Sequence, residues 1–440
     1  MKSITVKPIT KLWAEFEVPG DKSISHRAAI LGGLSNGICQ IDNFLPSEDC
    51  LCTLNAMAQV GATYEVLEEK RGFGPTSLKI NGQNMKLSAP EGDVDCGNSG
   101  TGMRLLAGML AAQSFESTLI GDASLQSRPM GRIMKPLSSM GAKIEACGEK
   151  EGCAPLKITG GKLKPTTYEM PVASAQVKSA ILLAGLFTEG KTTVIQPSET
   201  RDHTERMLSF FKIPSVREGD EILVEGGKVP EAGDFRIPGD ISSASFWLVA
   251  AAGLPEAHLK IKNVGLNPTR TAIIDVLIRM GAKIDIEILS EEFGEPYGDL
   301  TVMGKKLKGT TILPEEVPNL IDEIPVLAVA GALADGDMII RNAKELRVKE
   351  SDRISTVVEN LKKMGARVEE FEDGMEIKGG KALKGAELES FGDHRIAMAF
   401  TIAGLFSEGE TLINNVDCID TSYPGFSIHL SSIQNGRSPR

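Results

Sequence analysis

Residues 180–198, AILLAGLFTEGKTTVIQPS, form a run of small and apolar residues that ends near a glycine and continues, after a short turn, as an alternating strand. The small residues are typical of a helix packed closely on its neighbours, and the alternation is typical of a strand with one buried face. The pattern recurs at 28–44, 105–122, 247–264, 326–343 and 400–416. Successive marker glycines lie 68 to 78 residues apart, at Gly33, Gly108, Gly185, Gly253, Gly331 and Gly404. We therefore predict six structural repeats.

A second element lies between the marked copies. It is a helix that stops at a glycine and is followed by a strand, the usual use of glycine at a helix C-terminus. It is found at 58–66, 138–146, 278–286 and 362–370, in degenerate form at 209–217, and we expect the sixth copy near 426–434. Each repeat then contains two helices and several strands, which predicts an α/β fold.

Two Pro-Gly-Asp turns, at 19–21 and 238–240, predict where the chain passes between two sets of three repeats. A chain of 440 residues is also too long for one ordinary core. We predict one domain at 21–239 and a second made of 1–20 plus 240–440, with the neighbouring crossings as a hinge. A single solenoid of six stacked repeats is the alternative.

The composition excludes several classes of protein. The net charge of -11 argues against nucleic acid or an anionic membrane as a partner. Seven scattered cysteines do not form a disulfide framework, and the five histidines show no metal-ligand spacing, so we expect no metal and no cofactor. The first residues lack the features of a signal peptide and no apolar run is long enough to span a bilayer, so we expect a cytoplasmic chain.

Basic residues lie near the predicted starts of the repeated helices, where the helix dipole normally disfavours cations. Converging helix starts would make this arrangement favourable, because an anion between them is held by dipoles, backbone N–H groups and side-chain cations together. The alternative is that each cation pairs with a local Asp or Glu. The residues concerned are Lys22, Arg27, Arg104, Lys178, His394 and Arg395, with Arg128, Lys349 and Arg353 in nearby loops.

Carboxylates are interleaved with these cations. Asp322 and Glu323 open the helix at 324–333, and Glu350 and Asp352 lie in the run VKESDR. A carboxylate among cations stays ionised, which suits it to accept or relay a proton from a substrate hydroxyl. The residues alone therefore indicate an anion-binding site with acid–base chemistry.

Seven runs, in order along the whole chain, are similar to the motifs of the 5-enolpyruvylshikimate-3-phosphate (EPSP) synthase family, and some features resemble the second of its two bacterial classes. The resemblance implies an inverted, barrel-like α/β fold of two domains, each with three βαβαββ units. The runs are PGDKSISHRA (19–28), CGNSGTGMR (96–104), SRPMGR (127–132), ASAQVKSA (173–180), DEIPVLAVA (322–330), LRVKESDR (346–353) and GDHRIAMAF (392–400).

The resemblance implies transfer of the enolpyruvyl group of phosphoenolpyruvate to the 5-hydroxyl of shikimate 3-phosphate. Both small molecules are anionic, as the cations require, and we expect a monomer with no macromolecular partner. The residues implied to bind shikimate 3-phosphate are Lys22, Ser23, Arg27, Ser174, Ala175, Gln176, Asp322 and Lys349. Those implied to bind or brace phosphoenolpyruvate are Lys22, Asn98, Gly100, Arg104, Arg128, Gln176, Arg353 and Arg395.

By the same resemblance, the reaction is an addition followed by an elimination. Asp322 takes the hydroxyl proton, and Glu350, assisted by Lys22, protonates the methylene carbon. The cations stabilise the charged intermediate. Gly100 at the phosphoenolpyruvate site predicts sensitivity to glyphosate, which occupies that site in the family.

The chain departs from the family pattern in three places. No lysine precedes Tyr423-Pro424, Ala175 stands where many members have a second serine, and Glu345 stands where others have Asn. A phosphate contact is therefore missing or supplied elsewhere, and Arg201 is one candidate to replace it.

Two other functions remain open. One is the sister transfer to UDP-N-acetylglucosamine, which uses a loop cysteine, and Cys147 or Cys153 lies in a suitable region. The other is a non-enzymatic repeat scaffold. Among the remaining residues, we expect His26 and Met103 to pack or brace loops, His203, His258 and His429 to lie at the surface, and Trp13 and Trp247 to lie in the core.

Overall fold

The computed structural model describes residues 2–436. The contacts divide them into two compact units. The first unit contains Gly20–Ile237 and Glu291–Glu295, and the second contains the residues up to Pro19, Pro238–Ser290 and those from Pro296 onward. The short segment Glu291–Glu295, which falls in the predicted second domain, is grouped by its contacts with the first unit. The predicted domain limits stay a prediction.

Helices are interspersed with one or more strands along the described chain. The helices are α1 (Lys22–Leu34), α2 (Glu48–Gln59), α3 (Gly100–Leu110), α4 (Gly131–Ser139), α5 (Ala175–Gly185), α6 (His203–Phe210), α7 (Ile241–Gly253), α8 (Ala272–Arg279), α9 (Val317–Leu320), α10 (Ile324–Leu333), α11 (Arg353–Lys363), α12 (His394–Gly404) and α13 (Phe426–Gln434).

The strands are short and most belong to hairpins or to parallel edge pairs. They are β1 (Ser3–Val6), β2 (Trp13–Glu17), β3 (Ile38–Asp42), β4 (Thr63–Lys70), β5 (Gly74–Asn81), β6 (Val94–Asp95), β7 (Glu116–Ile120), β8 (Lys143–Ala146), β9 (Leu156–Thr159), β10 (Thr167–Glu169), β11 (Lys191–Ile195), β12 (Ser215–Glu218), β13 (Glu221–Glu225), β14 (Phe235–Arg236), β15 (His258–Gly265), β16 (Lys283–Glu292), β17 (Glu295–Met303), β18 (Asp337–Ile340), β19 (Arg367–Phe371), β20 (Gly374–Lys378), β21 (Glu387–Glu389) and β22 (Thr411–Asn414).

Within residues 2–436 the strands form six sheets, three in each unit, which confirms the six predicted repeats. The first unit has the orders β14-β3-β5-β4, β6-β7-β9-β8 and β10-β11-β13-β12. In each of these sheets an edge strand runs parallel to its neighbour and the remaining pairs are antiparallel. The second unit has the orders β16-β17-β15-β2, β18-β20-β19 and β1-β22-β21.

The sixth repeat differs from the expectation. Its second helix, α13, lies at the predicted place, but the antiparallel strand beside β22 is β1, from the other end of the chain. The pairing runs in register from Ser3 opposite Asn414 to Val6 opposite Thr411. The N-terminal strand therefore completes the last repeat of the second unit.

Each unit has a hydrophobic core of its own, built around the repeated small-residue helices. In the first unit these are α1, α3 and α5, and in the second they are α7, α10 and α12. Small residues allow close approach: a Cβ on Gly108 of α3 would lie 2.2 Å from the backbone oxygen of Ala180 on α5. Two separate cores argue against a single solenoid.

Some expectations about single residues are corrected. Trp13 is 69% exposed because it opens β2, a strand at the edge of its sheet, with its side chain on the outer face. His203 and His429 are buried rather than at the surface, since each hydrogen bonds inside its unit, to Glu295 and to Tyr423 respectively. Trp247 and Met103 are buried as expected. Among the described helices, none is long and apolar enough to cross a membrane.

Candidate active site

The helices α1, α3 and α5 start beside one another in the first unit. Each start is capped by the side chain of the preceding residue: Asp21 accepts from the backbone N–H of Ile24, Ser99 from that of Gly102, and Ser174 from that of Val177. Three aligned starts carry partial positive charge and offer free N–H groups. They form a favourable place for an anion.

Side-chain hydrogen bonds tie these starts together. His26 of α1 lies 3.3 Å from the hydroxyl of Ser99, measured from Nε2 to Oγ. Arg104 of α3 donates to Gln176 of α5 over 2.7 Å, and Gln176 donates to Thr101 over the same distance. The predicted convergence is thus present among the helices of this unit. We refer to its candidate site residues as the α1–α3–α5 cluster: Lys22, Ser23, Arg27, Asn98, Gly100, Arg104, Arg128, Ser174, Ala175 and Gln176.

Arg27 is the most buried cation of this cluster, at 3% exposed. Its guanidinium donates to Thr204 over 2.6 Å, to the backbone oxygen of Ser23 over 2.8 Å and to Ser179 over 2.7 Å. All three acceptors are neutral, and no carboxylate within the described residues forms an ion pair with it. Burial lowers the pKa of Arg27 to about 10, so it stays protonated at neutral pH. A buried cation with neutral partners favours an incoming anion.

Lys22 and Lys178 each form an ion pair with a nearby carboxylate, which is the alternative that the sequence left open for these cations. Lys22 forms an ion pair with Asp49 over 2.5 Å, and the buried Lys178 forms one with Glu205 over 2.6 Å. The sequence did not indicate either partner, because both carboxylates lie on other helices of the repeat.

Arg128 lies beside Gly100. Its guanidinium donates to Asn98 over 2.7 Å and to Ser124 over 3.1 Å, and Asn98 donates in turn to Asp122. A Cβ placed on Gly100 would lie 2.8 Å from Arg104 Nη1 and 3.3 Å from Arg128 Nη1. The glycine therefore leaves space between two cations.

A second group of candidate residues lies in the second unit, at the starts of α10, α11 and α12. We call it the α10–α11–α12 cluster: Asp322, Glu323, Lys349, Glu350, Arg353 and Arg395. Asp322 and Glu323 immediately precede α10, Arg353 opens α11, and Arg395 is the second residue of α12. Lys349 is half-buried and follows a short 3-10 turn at Lys344–Val348.

Arg353 is the centre of this cluster and is 1% exposed. It donates to Asp393 over 2.8 Å, to Asp322 over 3.3 Å and to Glu350 over 2.5 Å. Burial alone would lower the pKa of Arg353, but the carboxylates of Asp393, Glu350 and Asp322 raise it above its ordinary value. One guanidinium thus contacts both carboxylates that the resemblance implies as base and acid, Asp322 and Glu350.

Arg395 contacts the residues that open α10. Its Nη1 donates to the backbone oxygen of Asp322 over 3.1 Å, its Nε lies 3.7 Å from Asp322 Oδ1, and its Nη1 lies 3.9 Å from Glu323 Oε1. Glu323 is fully buried and also contacts Ser242 and Arg270. These contacts bring Arg395 and Arg353 to the same carboxylate, Asp322.

The partners that sequence reasoning missed include Asp49, Thr204, Glu205, Asp393, Ser242 and Arg270. Asp393 alone left a signal, because Gly392-Asp393 before α12 is an N-cap pattern, and its side chain does accept from the N–H of Arg395. Its ion pair with Arg353 arises only from the packing of α11 against α12. In the part of the chain that the structure describes, no three His, Cys, Asp or Glu side chains are grouped as metal ligands.

Comparison with known proteins agrees with these motifs. The family model of EPSP synthase (3-phosphoshikimate 1-carboxyvinyltransferase) matches residues 6–430. A 3-phosphoshikimate 1-carboxyvinyltransferase of Akkermansia muciniphila is 60% identical over 425 residues, 96% of this chain and 98% of that protein. One of Desulforamulus reducens is 48% identical over 433 residues, 98% of this chain and 99% of that protein.

The fold agrees as well. A solved structure of EPSP synthase from Acinetobacter baumannii superposes with a TM-score of 0.86 at 44% sequence identity and covers 98% of each chain. On sequence and on structure, the chain belongs to the EPSP synthase (3-phosphoshikimate 1-carboxyvinyltransferase) family.

Proposed function

We propose that the chain transfers the enolpyruvyl group of phosphoenolpyruvate to the 5-hydroxyl of shikimate 3-phosphate, releasing phosphate, as a step of aromatic amino-acid biosynthesis. The names of its relatives support this activity. The structural observation that carries it is Arg27, a buried cation whose hydrogen-bond partners are neutral and which lies beside three helix starts. Such a place suits the phosphate or carboxylate of a small substrate.

We assign shikimate 3-phosphate chiefly to the first unit. Lys22, Ser23 and Arg27 on α1, with Ser174, Ala175 and Gln176 at the start of α5, would hold its anionic groups. Asp322 and Lys349 would address its hydroxyls. The three bonds of Arg27 leave two of its five N–H donors for a ligand.

We assign phosphoenolpyruvate to Arg128, Arg353 and Arg395, with Lys22, Gln176 and the backbone of Gly100, and with Asn98 and Arg104 bracing the loop. Arg353 makes four hydrogen bonds to carboxylates of its own unit, so one of its five donors remains for the substrate. Its larger role is then to orient Asp322 and Glu350. Arg201, which is half-buried just before α6, is our candidate for the missing phosphate contact.

The chemistry proceeds by addition and then elimination. In the addition, the 5-oxygen bonds to C2 of phosphoenolpyruvate, Asp322 takes the hydroxyl proton, and Glu350, assisted by Lys22, gives a proton to C3. In the elimination, C3 returns a proton to Glu350, the C2–O bond to phosphate breaks, and Asp322 returns its proton to the departing phosphate. The arginines stabilise the anionic intermediate by preorganised electrostatics.

The proposed mechanism uses residues of both clusters. We also propose that the chain acts in the cytoplasm as a monomer. Glyphosate is expected to inhibit it, since Gly100 leaves the space beside Arg104 and Arg128 open.

The test is phosphate release by the purified chain from phosphoenolpyruvate with shikimate 3-phosphate, and separately with UDP-N-acetylglucosamine. We expect phosphate release with shikimate 3-phosphate but not with UDP-N-acetylglucosamine. We also expect glyphosate to inhibit the reaction, and additional phosphoenolpyruvate to relieve this inhibition. Arg27→Ala should raise the KM for shikimate 3-phosphate about 10- to 100-fold, because a hydrogen bond to a charged group contributes about 1.5–3 kcal/mol.

Arg71→Ala, at an exposed arginine of the same unit, is the matched control and should behave like the wild type. Release with UDP-N-acetylglucosamine and none with shikimate 3-phosphate would overturn the proposal. So would an Arg27→Ala variant that keeps its melting temperature and its KM.

A further inference from the structure

The start of α6 makes three contacts from three consecutive residues. His203 contacts Glu295, with 2.7 Å between Nδ1 and Oε1. Thr204 accepts a hydrogen bond from Arg27 over 2.6 Å, and Glu205 forms the ion pair with Lys178. Movement of this one turn of helix therefore moves the partner of Arg27.

The tip of the hairpin between β16 and β17, Glu291–Glu295, packs against α6. Glu295 is 1% exposed, and since a carboxylate only accepts, His203 Nδ1 donates to it. Arg206, one turn further along α6, donates to the backbone oxygen of Gly294. Phe293 lies 5.9 Å from Phe210 between ring centroids, at the other end of α6. The tip thus holds the helix along its length.

From Thr204 the contacts continue into the α1–α3–α5 cluster. The hydroxyl of Ser179 donates to the backbone oxygen of Ala175 over 2.7 Å, so it accepts from Thr204, which lies 2.7 Å away. Ser179 also accepts from Arg27 Nη2. Thr204 and Ser179 therefore fix the plane of the Arg27 guanidinium from two sides and join it to the start of α5.

We propose that Glu295 is a positioning residue for Arg27: by holding His203, it fixes Thr204 and so aims the remaining N–H donors of Arg27 at shikimate 3-phosphate. The inference rests on the proposed function, which gives Arg27 that ligand. It adds a residue far from the seven motifs, in the run EEFGE (291–295) between β16 and β17.

The physical reason is that hydrogen bonds to an anion depend on direction as well as distance. Loss of the buried hydrogen bond between His203 and Glu295 would cost free energy, so this pair helps to keep α6 in one place. A misplacement of about 1 Å at a binding group can cost about 100-fold in rate. A partial shift of α6 should therefore change the affinity for shikimate 3-phosphate and leave phosphoenolpyruvate less affected.

The experiment compares Glu295→Ala with Glu295→Gln in the full-length chain. Steady-state kinetics give the KM of each substrate, and calorimetry gives the affinity for shikimate 3-phosphate alone. We expect Glu295→Ala to raise the KM for shikimate 3-phosphate about 5- to 20-fold and that for phosphoenolpyruvate less than about 2-fold. Glu295→Gln keeps an oxygen that accepts from His203 and should restore most of the affinity.

Glu291→Ala, at an exposed glutamate of the same tip, is the control and should match the wild type. If Glu295→Ala fails to fold, Thr204→Val and Thr204→Ser replace it. The valine removes the acceptor of Arg27 at nearly constant shape and should raise the same KM, whereas the serine should restore it.

A purely structural role predicts a lower melting temperature with an unchanged KM for shikimate 3-phosphate, or equal increases for both substrates, and either result overturns the inference. Failure of the proposed function is seen separately, as a wild-type chain that neither binds nor converts shikimate 3-phosphate. In that case the inference fails with it.

Discussion

His26 lies buried among α1, α2 and the start of α3. Its Nδ1 is 2.8 Å from the hydroxyl of Thr53, and its Nε2 is 3.3 Å from that of Ser99. Burial, and then the charges of Lys22 and Arg27, lower its pKa well below the ordinary value. The imidazole is therefore neutral at pH 7 and braces the helix starts, as the sequence predicts.

This burial makes stability depend on pH. The unfolded chain takes up a proton on His26 near pH 6.5, whereas the folded chain does not until a much lower pH. Stability should therefore fall as pH drops below about 6.5, by up to about 1.4 kcal/mol per pH unit from this residue. Urea unfolding between pH 7.5 and 5.5 measures the slope.

His26→Gln should be less stable at pH 7.5 but show a shallower slope than the wild type. His258→Gln, at an exposed histidine of β15, is the control and should keep the wild-type slope. Identical slopes for His26→Gln and the wild type would contradict the assignment.

At the scale of single residues, the sequence identified the cations of the candidate site but not their hydrogen-bond and ion-pair partners. Lys22, Arg27 and Arg395 lie near helix starts, where a cation is unusual, and so they could be found from pattern alone. Thr204 could not, because 177 residues separate it from Arg27 and a threonine in the first turn of a helix carries no such signal. Partner choice is set by packing, which a single sequence does not display.

The contact between α3 and α5 depends on glycine. A Cβ on Gly108 would meet the backbone oxygen of Ala180 at 2.2 Å, and a backbone atom of a packed helix cannot move aside cheaply. By contrast, a Cβ on Gly32 of α1 would have its nearest neighbour at 3.5 Å, on the side chain of Ile80. The packing around Gly108 therefore excludes a side chain, whereas the packing around Gly32 leaves room for a methyl group.

Gly108→Ala should destabilise the chain by about 1–3 kcal/mol, because overpacking outweighs the gain in helix propensity. Gly32→Ala should be neutral or stabilising by up to about 1 kcal/mol, because alanine favours the helix and fits. Chemical denaturation of both variants tests the pair. A Gly108→Ala variant as stable as Gly32→Ala would show that the two helices separate easily.

The strands illustrate where pattern reasoning fails at the scale of an element. The expectation that Trp13 lies in the core did not take into account that β2 lies at a sheet edge. An edge strand can leave a tryptophan at its end on the outer face, and Trp13 does so. Position within a sheet is a property of the fold, since neighbouring strands here come from distant parts of the chain.

Over the whole molecule, the first and the last strand of the described chain, β1 and β22, meet in one sheet. β1 fills the place that a C-terminal hairpin strand occupies in other repeats, and Val6 of β1 is fully buried against the second core. The marker glycines were enough to predict six repeats. They were not enough to predict this closure, which joins residues more than 400 positions apart.

Val6→Ala should therefore lower the stability of the second unit by about 2 kcal/mol, as expected for a buried aliphatic truncation. Hydrogen exchange should show lost protection in β22, with β7 and β9 of the first unit unchanged. Ser3→Ala, at an exposed position of the same strand, is the control. Equal loss of protection in both units would mean that they unfold as one.

Both tryptophans of the chain, Trp13 and Trp247, belong to the second unit. Trp247 is buried and donates to Tyr423 over 2.9 Å, whereas Trp13 already faces solvent. Intrinsic fluorescence excited at the indole band therefore reports on the surroundings of Trp247. It does not report directly on the unfolding of Gly20–Ile237, which contains no tryptophan. A denaturation curve recorded in that way describes one half of the molecule, and circular dichroism is required to see the other.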